Sequence, residues 1–262
     1  MIVPFVHTYA LIDDSGQVLA EGGTLDRPFW LASITKLILA MGVEIAVDRR
    51  LLDFEQPAGP AGSTIRHLLS HASGLAPHGD GTVVAARVGR RRIYSDQGFE
   101  LLGAELSKAV GMQANEWIRH ELLMPLGAGA TSIPGSYAHS GISTLMDLSL
   151  VAQELLSPKI LTSDGVQRLT VPVFPGLPGV LPGYGFQVDN VWGLGVEIKG
   201  AKSPHWTAPQ SSPMTFGHFG QSGSFLWVDP RSRQAGMFLG DEPFGPWHQE
   251  NWSKFNQKLI GG

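Results

Sequence analysis

The chain contains no cysteine, so neither disulfides nor thiolate chemistry can figure in its structure or activity. It lacks any apolar run of the roughly 18 residues that a membrane-spanning helix needs. Positive charge is not in excess either. The formal net charge is −4, which argues against nucleic acid as a partner. The first residues, Met1-Ile2-Val3-Pro4-Phe5-Val6-His7, show no basic segment, no long apolar stretch and no small-residue cleavage site, so a cytoplasmic location is expected. Internal repeats and low-complexity tracts are missing. What is present is 262 residues, 43% of them hydrophobic, enough to bury one large core or two intimate ones. The 33 glycines and 18 prolines imply many turns.

Alternating apolar residues predict strands over 3–12 and 17–21, joined at Asp13-Asp14-Ser15-Gly16. Residues 31–47 place Ile34, Leu37, Ile38, Met41 and Ile45 at helical spacing, with apolar residues on most of the helix surface. Lys36 inside such a buried helix needs a partner or a perturbed ionisation. Further helices are predicted over 64–70 with Ser63 as cap, over 97–110 ended by Gly111, over 114–124 ended by Pro125, and over 143–156. His78, Asp80 and the glycines nearby read as loop, as does the irregular stretch 171–185. Strands return over 185–199, 216–229 and 234–239, and a helix is expected to close the chain within 244–259. This order predicts an α+β fold. One antiparallel sheet would be built from the N- and C-terminal strands with flanking helices, plus an inserted, mainly helical lobe. A single domain spanning 1–262 is expected, its α/β lobe at about 1–57 and 172–262 and its helical lobe at about 58–171.

Three groups of residues invite chemistry. Ser33 and Lys36 are three apart, which on a helix puts them on one face, one turn apart. An amine beside a hydroxyl can activate a nucleophile, and a serine at a helix start lies near unpaired backbone N–H groups. Taken alone, the pair reads first as a capping serine followed by a solvated lysine, and only the rest of the chain can favour the chemical reading. His67 and His71, four apart, have metal-pair spacing, but no HExxH motif and no third ligand accompanies them, so a helix end is the better reading. Arg90-Arg91-Arg92 reads as a solvated basic patch ahead of a site for anionic substrates.

Several stretches in order are similar to the serine β-lactamase and penicillin-binding protein superfamily, in the branch of class C β-lactamases, D-alanyl-D-alanine peptidases and related esterases. They are Ser33-Ile34-Thr35-Lys36; Tyr94-Ser95-Asp96, where the family usually has Tyr-x-Asn; and His218-Phe219-Gly220, where it has Lys-Thr-Gly or His-x-Gly. Framing stretches match as well: residues 64–75, Pro125-Leu126-Gly127 and residues 140–148. The resemblance runs from about residue 30 to 240 and implies the fold expected above. The chain departs from the pattern in its short N-terminal region, in Asp96 for Asn and in His218 for Lys. The other common esterase signature, G-x-S-x-G, does not occur.

The resemblance implies acyl transfer with Ser33 as nucleophile and Lys36 or Tyr94 as base, the two remaining open. It implies an oxyanion hole from the backbone N–H groups of Ser33 and Gln221, with Phe219 and Gly220 bordering the substrate. An ionised Asp96 near Lys36 would favour the charged lysine and move the base role toward Tyr94, whose pKa that charge should lower. It can accept hydrogen bonds but not donate them to a substrate carbonyl. His218, at most partly charged, should hold a substrate carboxylate poorly. Both changes favour a small-molecule ester or acyl substrate, with no cofactor and no metal expected. A β-lactamase or D-alanyl-D-alanine peptidase is the alternative, and a non-catalytic penicillin-binding-like protein a further one. The bland readings make Tyr94 a core tyrosine, Asp96 a helix cap and His218 a satisfied strand histidine.

Overall fold

A computed structural model describes residues 2–79 and 81–261; Asp80, expected in a loop, lies outside them. The chain opens with β1 (His7–Asp13) and β2 (Val18–Gly22). Their turn is held by the Asp13 carboxylate, which accepts from the backbone N–H groups of Ser15 and Gln17. A short strand β3 (Phe29–Ala32) follows, then helix α1 (Thr35–Asp48). The sequence predicts helix from residue 31. Instead, residues 29–32 pair with β4 (Gly141–Ser143), and the Thr35 hydroxyl fixes the intervening turn by donating to Ala32 O and accepting from Gly141 N. Every residue of α1 from Thr35 to Ala46 is buried.

Between β3 and the C-terminal strands run α2 (Ile65–Leu69), α3 (Asp96–Val110), α4 (Ala114–Ile118), a π-helical turn at Arg119–Leu123, α5 (Met124–Leu126), α6 (Leu145–Leu156) and α7 (Ser163–Thr170). Thr64, not Ser63, precedes α2 as its cap residue. Stretch 171–185, read as loop, contributes strand β5 (Gly179–Leu181), which pairs with β6 (Gly185–Gln187) in a hairpin. Strands β7 (Glu197–Ile198), β8 (Phe216–Gly220), β9 (Ser224–Asp229) and β10 (Gln234–Gly240) and helix α8 (Pro246–Gly261) complete the chain.

The six-stranded sheet has the order β2-β1-β10-β9-β8-β7, antiparallel throughout, so the N-terminal hairpin joins the C-terminal strands as expected for the α+β class. Period-two alternation sends the strands' side chains to two cores. Ala10, Ile12, Leu226, Val228, Met237 and Leu239 face α1 and the other helices. Leu11, Phe225, Trp227 and Phe238 face Trp252 and Leu259 of α8. The sheet is therefore sandwiched between helical layers. One close approach sets the site: a Cβ on Gly220 at the end of β8 would lie 2.3 Å from the Leu31 carbonyl oxygen, so only glycine lets β8 lie against the segment leading to Ser33. Among the described residues no helix is long and apolar enough to cross a membrane.

Candidate active site

Ser33 lies in the turn between β3 and α1, one step after Ala32, whose φ of 45° is in the left-handed region. A non-glycine residue there stores backbone strain, which is concentrated at functional sites. Lys36, in the first turn of α1, is fully buried. Its Nζ donates to Ser33 Oγ at 3.2 Å and to Ala138 O at 2.9 Å. It also forms an ion pair with Asp96 Oδ1 at 2.7 Å, close in distance but off the angle of a hydrogen bond. Three oxygens thus surround a group with three N–H donors, which is the environment of an ammonium. The Tyr94 ring adds a cation–π contact 4.7 Å from Nζ.

Ser95, not Asp96, caps α3, accepting from Gly98 N at 3.2 Å and donating to Ala76 O at 2.7 Å. Asp96 is the first residue of the helix, and its carboxylate is freed to face Lys36. The Tyr94 hydroxyl is buried beside Lys36 and Ser33 without being aligned on either. Burial pushes its pKa above the ordinary tyrosine value, outweighing the downward pull of Lys36; Asp96 adds to the rise. The lowered tyrosine expected from the sequence is thus reversed by desolvation.

Ser33, Tyr94, Asp96, His218, Phe219 and Gln221 line one cavity of about 220 Å³. Among the described residues, the backbone N–H groups of Ser33 and Gln221 donate to no protein acceptor. Phe219 also packs below the sheet, 4.9 Å from Phe244 and 5.6 Å from Trp252. Gly220 acts through its backbone, by the close approach already described. His218 is buried and its ring is neutral, burial and the Lys36 charge bringing its pKa down to about 3.

Residues without a motif complete the wall: His78, whose Nδ1 is 3.5 Å from Asp96 Oδ2, Leu181 and Pro182 by the β5–β6 hairpin, Trp192, and Glu197 of β7. Burial alone would raise the Glu197 carboxyl, but His205 and Lys202 beside it hold it well below the usual range. His71 supports the site from beneath. Its ring packs 4.5 Å from Tyr94 and its Nδ1 accepts from Ser95 N at 3.1 Å. His67 turns instead to Thr64 and Phe174, so the two histidines do not converge. Arg92 is not solvated as the basic run suggested. It is buried and donates to the carbonyls of Ser70, Val173, Phe174 and Asn190.

Ser33, Tyr94 and the end of β8 meet at one cavity with Lys36 buried behind Ser33, and the β-lactamase family model matches residues 8–244. The chain belongs to that family. It is similar to the crystal structure of a β-lactamase from Mycobacterium bovis, at 41% identity over 99% of this chain and 95% of that one, with a TM-score of 0.95. EstCE1, a hydrolase with promiscuous acyltransferase activity, is 16% identical with a TM-score of 0.78 over 98% of this chain and 94% of its own, a likeness of fold alone. Penicillin-binding protein 4* of Bacillus subtilis (strain 168) is 26% identical over 136 residues, 40% of this chain. The match covers 30% of that curated relative's length.

Proposed function

We propose that the protein is a serine hydrolase that forms an acyl-enzyme on Ser33 and acts on small esters. The observation that carries this is buried Lys36, whose Nζ lies 3.2 Å from Ser33 Oγ and is ion-paired with Asp96, behind two residues, Ser33 and Asp96, that line the cavity. Ser33 Oγ bonds to the ester carbonyl carbon, its proton passing to Tyr94 in the tyrosinate form, with Lys36 offsetting the phenolate charge. The Ser33 and Gln221 backbone N–H groups take the developing oxyanion. Collapse expels the alcohol, which takes the proton back from Tyr94. Water then attacks the acyl group by the reverse proton path, releasing the acid and Ser33.

Two features support esters over lactams and peptides. A neutral His218 offers no positive charge to a carboxylate. Asp96 cannot donate to an amide carbonyl as an asparagine would. Loss of one charge-assisted hydrogen bond corresponds to roughly 1.5–3 kcal/mol, about tenfold to a hundredfold. The likeness to the M. bovis β-lactamase supports the second reading, lactam hydrolysis. Comparing kcat/KM for p-nitrophenyl acetate and nitrocefin separates them. The ester should be ahead by at least about tenfold, and Ser33→Ala should abolish turnover of both. Equal values, or a lactam preference, would favour the second reading.

A further inference from the structure

A second cavity, of about 410 Å³, adjoins the one that Ser33 lines, and the chemistry above leaves it unused. His78, Tyr94 and Pro182 line both. One wall of the second cavity is the segment entering Tyr94, with Ile93 on it. The other is the β5–β6 hairpin, where Val180 and Phe186 stand opposite each other across the two strands. The two walls are fastened together. Arg92 N donates to Pro178 O at 2.8 Å, and a Cβ on Gly179 would lie 2.7 Å from Arg92 O, so the two backbones run in close contact there. The space between them is therefore shaped by the fold itself, as ligand cavities usually are.

The lining says what it can hold. Val180 and Phe186 are 56% and 67% exposed, although both are large apolar side chains. Opposed residues on a hairpin share a face, so the pair offers water one apolar surface beside the catalytic cavity. Covering that surface with a hydrocarbon chain gains up to about fourfold in affinity per methylene. The two arginines on the wall differ. Arg92 spends its guanidinium on backbone carbonyls. Arg91 is exposed and has no carboxylate partner among the described residues, so a chain reaching it meets an unpaired positive charge.

We propose that the second cavity is a subsite for an extended apolar chain of the ester, carried past Tyr94 and His78 onto Val180 and Phe186, with Arg91 favouring an anionic over a cationic chain end. Continuity with the catalytic cavity names the occupant, since a group lodged there is the far part of a molecule held at Ser33. The inference rests on the reading of Ser33 as nucleophile and narrows its substrates to esters with one chain longer than two carbons.

The test uses two ester series, with chains of two, four, six and eight carbons placed once on the acid side and once on the alcohol side. Binding is measured by calorimetry on Ser33→Ala, and turnover on the wild-type enzyme. In one series the six-carbon ester should bind Ser33→Ala at least about tenfold more tightly than the two-carbon ester. Adding Val180→Ser and Phe186→Ser together should shrink that ratio at least about threefold, with thermal melts checking that the variant folds. At low ionic strength a six-carbon chain ending in a carboxylate should bind about threefold more tightly than one ending in an ammonium, and adding Arg91→Glu should invert the order. Binding that gains nothing with chain length in both series overturns the proposal, as does an unchanged ratio in the folded Val180 and Phe186 variant or an order of chain ends that Arg91→Glu leaves as it was. Should the ratios hold while the wild-type enzyme turns over none of the esters, the subsite stands and the reading of Ser33 falls. Turnover that requires Ser33 but gains nothing from chain length has the opposite meaning.

Discussion

Asp96 puts a negative charge where the pattern this chain resembles has a neutral asparagine. Its carboxylate neutralises Lys36 at 2.7 Å and is among the influences that raise Tyr94. With Tyr94 protonated at neutral pH and tyrosinate as the acceptor of the Ser33 proton, kcat/KM should climb about tenfold per pH unit between about pH 6 and about pH 9. Asp96→Asn removes a negative charge that opposes the phenolate, so Tyr94 should titrate at lower pH and the rising limb should move down with it. The new amide N–H would also give amide or lactam substrates a donor that the carboxylate lacks. pH–rate profiles of both enzymes on one ester and one lactam measure both effects. A limb that stays in place, with an unchanged ester-to-lactam ratio, would mean that Asp96 does not couple to the reacting groups.

At the scale of elements, the sequence was most legible where periodicity was long and least where a tertiary contact overrode it. Central helix α1 and the strands at both ends follow from their apolar spacing. The start of α1 does not, because β3 borrows Phe29–Ala32 for pairing with β4, a contact more than a hundred residues away in the chain. Ser95 and Asp96 are adjacent and either can cap a helix, so only the bond to Gly98 N shows which one does. Arg92 was misread because composition cannot reveal four carbonyls gathered from distant loops. Those bonds tie residues 70, 173–174 and 190 to the segment entering Tyr94. Burial lowers the Arg92 pKa to about 10, and the guanidinium remains charged at neutral pH. Arg92→Leu would leave the carbonyls unpaired and should cost at least ~3 kcal/mol of stability. Denaturant unfolding measures this, and a loss under ~1 kcal/mol would show that water replaces the bonds.

For the molecule as a whole, three motifs separated by 58 to 122 residues meet at one cavity because the sheet is closed by strands from both ends of the chain. The motifs Ser33-x-x-Lys36, Tyr94-x-Asp96 and His218-x-Gly220 were readable as residues in order. The wall contributed by Trp192, Glu197 and the β5–β6 hairpin was not, since no local pattern marks a residue that is near the site only through the fold. The central claim is that this convergence makes Ser33 a nucleophile. Treating the enzyme with a fluorophosphonate, then measuring intact mass and mapping peptides, tests it most directly. A single adduct on Ser33, absent from Ser33→Ala, is the expected result. An adduct on Ser73 or Ser222, or the same extent of labelling in Ser33→Ala, would contradict it.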